Sequence, residues 1–299
     1  MGFSWGLDFG AEAIRLCHAA ARGERIEVRR MADVPLAPGL LRPSAKLPNL
    51  PEPAALADAV TRVARQAGCR GYVRVALPDA VFLLRSIVSD AVPDDPAAAR
   101  QFLLWQARDL LPFPAEEGRL DYQIIGSGPD DRVRTVCLIA RARILAEYEE
   151  LLGTAGLRVA VLDAHSVAIA QAISGLFSDG PSMVLAGDGG RATLLVIEAR
   201  RPRVWRILPF PWTGNGTSDR LLREIADSCT FFRESEGIAP LERVIVGGFG
   251  KETAALAERL STWLELPAAA LDLRAIARDW PLDADSGWGA ALGAAIRPC

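Results

Sequence analysis

Three short glycine-bearing segments have the residue types needed to cradle a phosphate chain. The first is Asp8-Phe9-Gly10-Ala11-Glu12, with Arg15 close behind. The second is Gly187-Asp188-Gly189-Gly190, followed by Thr193. The third is Gly247-Gly248-Phe249-Gly250. Glycine lets a backbone come close to a ligand and aims successive N–H groups at phosphate oxygens. A carboxylate beside it, here Asp8, can hold Mg²⁺. The third segment follows the apolar run Arg243–Val246 and opens helical sequence, so a helix N-terminus could face a nucleotide there. Hairpin turns also ask for glycine on conformational grounds alone. A phosphate clamp is therefore implied by the order and spacing of all three segments together, not by any one of them.

The elements that must position them occur twice. Phe3–Phe9 reads as a strand, Gly10-Ala11-Glu12 as a turn and Ala13–Ala19 as a second strand. The Arg22-Gly23-Glu24 turn leads to a third strand, from Arg25 to about Val34. The same plan recurs later. Met183–Ala186 is strand-like, residues 187–191 turn, Ala192–Glu198 is a strand, Arg200-Arg201-Pro202 turns and Arg203–Phe210 is a third strand. Helical sequence and a further strand follow each triplet: Glu52–Ala67 with Tyr72–Leu77, and Asp219–Glu236 with Arg243–Val246. Two βββαβ units of this kind imply an α/β protein of the actin-like, duplicated ribonuclease-H-like class, with two facing lobes.

Bulk composition agrees with a folded, multi-lobed chain. It has 299 residues, half of them apolar and 24% charged. Its net charge of -3 supplies no overall basic field for nucleic acid or anionic lipid. Five scattered cysteines, Cys17, Cys69, Cys137, Cys229 and Cys299, include no CxxC pair, so reduced thiols are expected rather than a disulfide framework or a zinc site. The N-terminus lacks a signal-peptide pattern and no apolar run reaches membrane-spanning length, which points to a cytoplasmic protein.

Several segments carry a family resemblance. GLDFGAEAIRL (6–16) and VALPDAVFLLRSI (75–87) are two of them. WQARDLLPFPAEEGRLDYQII (105–125) is the most specific, through Leu110-Leu111-Pro112-Phe113-Pro114 and Leu120-Asp121-Tyr122. The run from Leu138 to Ile173, RVIVGGFG (243–250) and WGAALGAAIR (288–297) continue it. Together they make the chain resemble the PilM family of type IV pilus assembly proteins, similar in fold to the cell-division protein FtsA. That resemblance implies a small α+β subdomain inserted into the first lobe. The residues give it a strand–helix–strand–strand–helix order. The expected division is 1–83, 161–181 and 285–299 for the first lobe, 84–160 for the insert and 182–284 for the second lobe. Phe102 and Trp105 are expected in the insert's core.

The resemblance further implies a cytoplasmic scaffold of the inner-membrane pilus complex. Its partners would be a short N-terminal peptide of a PilN-like membrane protein and other pilus assembly proteins. The groove would lie between insert and first lobe, near Leu84, Arg85 and Ile87. FtsA carries a C-terminal membrane anchor, whereas here the sequence after the last fold helix is Arg297-Pro298-Cys299, so recruitment by the partner is expected. ATP and Mg²⁺ are the implied cofactors. The nucleotide-binding set is Asp8, Gly10, Ala11, Glu12, Arg15, Gly187, Gly189, Gly190, Thr193, Gly247, Gly248 and Gly250, with Asp8 reaching the Mg²⁺ ion. Asp163 matches the acid that positions the attacking water in related ATPases. His165, beside a helix start, reads better as a capping or packing residue than as a general base.

The phosphate motifs depart from the family pattern. Ala11 and Glu12 stand where small hydroxyl residues are usual, Arg15 replaces a lysine, and Gly187 replaces an acid or amide. Asp188 is one residue out of place, and a one-residue slip along a strand reverses its facing. These departures predict degenerate nucleotide binding with weak or no hydrolysis. The competing readings are an active ATPase, a sugar-kinase-like phosphotransferase, for which no sugar-facing acid is evident, and the cytoplasmic domain of a type II secretion protein.

Overall fold

Alternating apolar residues and tight turns build the first sheet. In this computed structural model, residues 2–23, 25–127, 132–208, 219–235, 237–278, 280–281 and 286–297 are described. Ser4–Phe9 (β1), Ala13–Arg22 (β2) and Arg25–Pro35 (β3) form an antiparallel meander. Helix Pro53–Ala67 (α1) starts on a proline and stops at Gly68, whose φ of 69° makes it a left-handed cap. Gly71–Leu77 (β4) then pairs parallel with β1. The apolar stripe Leu56, Val60 and Val63 of α1 buries against Leu7, Leu16 and Val75.

The insert follows as Phe82–Ser89 (β5), Pro96–Ala107 (α2), Gly118–Ser127 (β6) and Val133–Arg141 (β7), a three-stranded sheet with β7 in the middle. Asp95 caps α2 through its carboxylate and the Ala98 N–H. The expected second insert helix, Ala142–Thr154 (α3), belongs elsewhere. Its apolar face of Ile144, Leu145, Tyr148, Leu151 and Leu152 packs under the first-lobe sheet with Phe9 and Val60, and the Tyr148 hydroxyl donates to Asn49 Oδ1 at 3.1 Å. Leu157–Ala164 (β8) is also a strand of that first sheet, parallel to β4. The self-contained unit is therefore β5 to β7, shorter than 84–160. Trp105 also departs from expectation. Ala99, Leu103 and Ala107, spaced by one helical turn, form the buried stripe of α2, which turns Trp105 to solvent under the Arg108 guanidinium. Phe102 does pack against the insert core.

After His165–Ala172 (α4), the second lobe repeats the plan of the first. Ser182–Asp188 (β9), Arg191–Glu198 (β10) and Arg201–Leu208 (β11) form a meander, and residues 209–210 of the expected third strand lie outside the described residues. Asp219–Ser235 (α5), Arg243–Gly247 (β12), Thr253–Leu264 (α6) and Ala268–Ala270 (β13) follow. Ala277–Arg278 (β14) crosses back to pair with β3, and Gly289–Ile296 (α7) closes the chain's described part. The sheet orders are β14-β3-β2-β1-β4-β8 and β11-β10-β9-β12-β13. Without the added β14, third, second, first, fourth and fifth strands correspond one to one, so the duplication is a matter of topology. A core built on α4 and α7 joins the lobes, with Ile169, Leu195, Trp288 and Leu292 among its members. Cys17, Cys69 and Cys137 are buried free thiols and Cys229 is half-buried, while Cys299 lies outside the described residues.

Candidate functional site

The C-terminal ends of β1, β4 and β8 bring Asp8, Ala76 and Asp163 into one row across the first sheet. At this rim the two lobes meet through buried polar groups. Asp8 is fully buried, and its Oδ1 lies 2.9 Å from His165 Nδ1. Asp79 follows β4 and caps α4 from outside, accepting from the Ser166 N–H at 2.9 Å and the Ser166 hydroxyl at 3.0 Å. From the second lobe, Trp205 Nε1 donates to Ser166 Oγ at 2.8 Å, and the Thr193 hydroxyl reaches Asp79. Asp188 Oδ1 accepts the Ala11 N–H at 2.9 Å, tying the second hairpin to the first.

Electrostatics reinforce this closure. Burial alone would push the His165 imidazole down, but the carboxylates of Asp8, Asp188 and Asp79 outweigh it and bring it to about 9. Burial pushes Asp79 and Asp188 up, and the neighbouring His165 holds both back. Asp163 is likewise raised by burial, against the pull of Arg297, whose Nε stands 3.0 Å from Asp163 Oδ2.

These residues do not fit Mg²⁺ and a phosphate chain as they stand. A methyl group built on Gly189 would lie 2.3 Å from the Ala11 side chain, so the hairpin tips are already in contact. The Ala11 N–H, which would face phosphate, is taken by Asp188. His165 occupies one oxygen of Asp8, and the other, Oδ2, is buried with no hydrogen-bond partner among the described residues. In the second lobe the glycines serve packing. A side chain at Gly187 would meet the Phe249 ring at 2.8 Å, and one at Gly248 would meet the Gly187 carbonyl oxygen at 2.2 Å. Phe249 thus fills the space of the acid or amide expected at position 187.

A second site is the open groove of about 470 Å³ between the insert, the first lobe and the second-lobe hairpin. Leu84, Val136 and Leu138 form one wall, from the insert-sheet face that α2 leaves uncovered. Val161, Leu162 and Asp163 of β8 supply the second wall, and Val167 and Ala170 of α4 the floor. Leu195, Ile197 and Pro202 close the far side, with Arg297 at one end. Because β8 ends its sheet, its outer backbone groups face this groove with no strand paired to them among the described residues.

The model of the family described as type IV pilus assembly protein PilM matches residues 6–188. The chain belongs to the PilM family. Its architecture also matches a solved PilM–PilN type IV pilus biogenesis complex, at a TM-score of 0.82 and 22% identity over 99% of both chains. The ethanolamine utilization protein EutJ of Carboxydothermus hydrogenoformans matches at 0.55 and 14%, over 99% of this chain and 90% of that one. A Bacteroides thetaiotaomicron protein of actin-like ATPase fold matches at 0.51 and 7%, over 92% of each. No curated protein matches. The two-lobed actin-like fold and a role in type IV pilus assembly follow. Among the described residues, no helix is long and apolar enough to cross a membrane.

The PilM-family candidates divide between the two sites. Asp8, Ala11, Gly189 and Thr193 converge at the lobe junction, whereas Gly247, Gly248 and Gly250 sit behind it, with the Gly248 N–H on Ser286 Oγ at 3.4 Å. Arg15 and Gly10 belong to the first hairpin, where the Arg15 guanidinium closes over Gly10; Glu12 gives its carbonyl to the Leu36 N–H. Gly190 sits in the turn at a φ of 88°. Asp163 faces Arg297 and the groove. Leu84 lines the groove, but Arg85 and Ile87 do not: strand alternation turns them to the α2 side, where Ile87 joins the insert core and Arg85 donates to the Leu110 carbonyl at 3.3 Å. His165 is neither a cap nor simple packing but the partner of Asp8. Asp79, Ser166, Trp205 and Arg297 escape a reading of local sequence. Only Asp79, an acid just past a buried strand, carries a signal that could have found it.

Proposed function

We propose that this chain is a scaffold at the cytoplasmic face of the inner membrane, which takes an extended N-terminal peptide of a PilN-like membrane protein into the groove. The observation that carries this reading is the groove itself, apolar on facing walls and bordered by the free edge of β8. A peptide strand paired with β8 would present alternate side chains to Leu84 and Leu138. The peptide would pair with β8 and not with the insert, which offers the groove its sheet face. The partner then brings the scaffold to the membrane.

Titration of a synthetic N-terminal peptide from the PilN-like neighbour is expected to show saturable binding. Leu84→Asp should weaken it at least tenfold, as burying one leucine side chain is worth about 1.5–3 kcal/mol. Arg85→Ala should leave it within about threefold, because Arg85 lies on the other face of β5. Equal losses in both variants would refute the groove as the site.

In this reading ATP plays no catalytic part. The contact of Ala11 with Gly189 and the pairing of Asp8 with His165 support weak or absent turnover. Losing even one preorganised charge-stabilising group costs about 10²–10³ in rate. The expected result is no Mg²⁺-dependent phosphate release above a blank, unchanged in Asp8→Ala. Robust turnover that Asp8→Ala or Asp163→Ala abolishes would sink it.

A further inference from the structure

We propose that the rim of the first-lobe sheet opposite the lobe junction, where exposed arginines of β2, β3, β8, β14 and the turn before β4 gather beside Phe3, Trp5 and Tyr72, is a docking surface for an anionic lipid membrane.

The topology makes this rim a single surface. β1, β4 and β8 are parallel, so their N-terminal ends lie together. Antiparallel pairing brings the end of β2 and the start of β3 to the same place, and β14 runs parallel to β3. Arg22, Arg25, Arg29, Arg158 and Arg278 are exposed there, and Arg70 precedes β4. Within residues 19–30, 68–74, 156–160 and 272–279 nine arginines face four acids, Glu24, Glu27, Asp272 and Asp279. Glu27 lies 3.5 Å from Arg22 and 3.7 Å from Arg29, so it neutralises part of the rim and leaves a net positive field. The opposite rim carries Asp8, Asp79 and Asp163. A net charge of -3 thus does not describe the local balance at this rim.

Arginine is also used to cap helix ends, and Arg30 does so here, donating to the Ala67 carbonyl at 3.0 Å. That role does not account for the aromatic residues among the other arginines. Arg29 lies 3.5 Å from the Phe3 ring centroid, His18 stacks on Trp5 at 4.3 Å, and Arg158 stands 6.0 Å from Tyr72. Tyr72 is 63% exposed. Tyrosine and tryptophan beside arginine is the composition that suits the headgroup layer, with rings at the interface and guanidinium groups on lipid phosphates. Nucleic acid offers phosphates too, but Phe3 and Trp5 are already stacked on Arg29 and His18 and are not open platforms for bases. Position favours the membrane as well. Arg158 lies on β8 three residues before Val161 of the groove, about 10 Å at ~3.3 Å per residue. A membrane protein held in that groove would keep this rim near the lipid surface. The inference extends the scaffold reading and is tested without its partner.

The experiment is flotation of the purified full chain with phosphatidylglycerol–phosphatidylcholine vesicles and with phosphatidylcholine alone. Binding is expected only to the anionic vesicles, and it should fall as salt shortens the screening length below about 10 Å. Each arginine near an anionic surface contributes about fivefold. Arg25→Glu/Arg70→Glu/Arg158→Glu, all surface positions, should therefore weaken binding at least tenfold, and Arg25→Glu/Arg70→Glu, which leaves β8 intact, should leave peptide affinity unchanged. A smaller effect, salt-insensitive binding, or no vesicle binding at low salt would overturn the proposal. Retention of double-stranded DNA or polyaspartate without retention of vesicles would overturn it too. If the triple variant does not fold, Arg158→Glu alone, expected to lose about fivefold, and the salt titration of the unaltered chain decide the matter.

Discussion

Replacing His165 with leucine is expected to lower the melting temperature by roughly 5–8 °C. Asp8 is fully buried and has the imidazole as its hydrogen-bonding partner through Oδ1, while Oδ2 has none among the described residues. Removing one member of a buried pair leaves an uncompensated charge, at a cost of about 3–5 kcal/mol. At about 2.1 cal/mol/K of unfolding entropy per residue, a chain of 299 residues shifts by roughly 1.6 °C per kcal/mol. The loss should be far from additive. With Asp8→Ala already present, adding His165→Leu should cost little more, because the charge that needed the imidazole is gone. The pH dependence has a definite sign. His165 sits at about 9 in the folded chain, above its ordinary value near 6.5. Its contribution is complete below about pH 6.5 and fades as pH rises through about 9. The gap between unaltered protein and His165→Leu, followed by calorimetry, should therefore narrow between pH 7 and pH 9.5. A constant gap would show that His165 acts by packing alone.

How far the fold was legible depends on how local its causes are. The two strand triplets could be read because alternation and turn glycines lie within a few residues, and both sheets repeat the plan. The helix at Ala142–Thr154 was legible as a helix but not as to its host. Ile144, Tyr148 and Leu151 make an apolar stripe that would suit the insert as well as the first lobe, and only the tertiary fold chooses. Trp105 misleads because size suggests burial, whereas the spacing of Ala99, Leu103 and Ala107 decides which face goes inward. The two-residue strand Ala277–Arg278, which crosses from second-lobe sequence to the first sheet, is too short to show any period.

At the lobe junction the readable features were residue types, and the unreadable ones were pairings. Glycines near Asp8 and Asp188 suggest a phosphate clamp when taken alone. The partners that replace phosphate come from far along the chain: His165 for Asp8 is 157 positions away, and Asp188 for Ala11 is 177. A one-residue slip reverses the facing of a side chain in a strand interior. At the strand's last residue, next to the Gly189-Gly190 turn, the side chain can still reach across to the first hairpin. The groove shows the same division. Strand alternation separates Leu84 from Arg85 and Ile87, but which face of β5 meets β8 depends on where α2 lands.

Two glycines in helices should respond in opposite directions to the same substitution, and the contrast isolates why α4 and α7 can touch. In a helix interior, alanine is favoured over glycine by about 1 kcal/mol. Gly153, next to the last residue of α3, has nothing within 4 Å of an added methyl group among the described residues. Gly153→Ala should therefore gain part of that amount and raise the melting temperature by about 1 °C. Gly293, in α7, carries the same propensity term, yet a methyl group there would lie 1.7 Å from the Ala168 carbonyl oxygen and 2.5 Å from its carbon. Those are backbone atoms of α4, which cannot rotate aside as a side chain can. The helices would have to separate by more than 1 Å, opening the lobe-joining core around Ala290, Ala291, Ala294 and Ile169. Overpacking of this kind costs about 1–3 kcal/mol where side chains absorb it, and more where backbone must move. The clash therefore exceeds the propensity gain, and Gly293→Ala should lower the melting temperature by at least several degrees or leave the chain insoluble. Gly6 gives a second reading of the same contact from the strand side, since a methyl group there would lie 2.1 Å from the Ala291 carbonyl oxygen. Thermal melts of the three variants decide it: stabilisation by Gly293→Ala or Gly6→Ala would mean that α7 does not press on α4 and β1 as closely as described, and that the lobes are joined by something other than this small-residue seam.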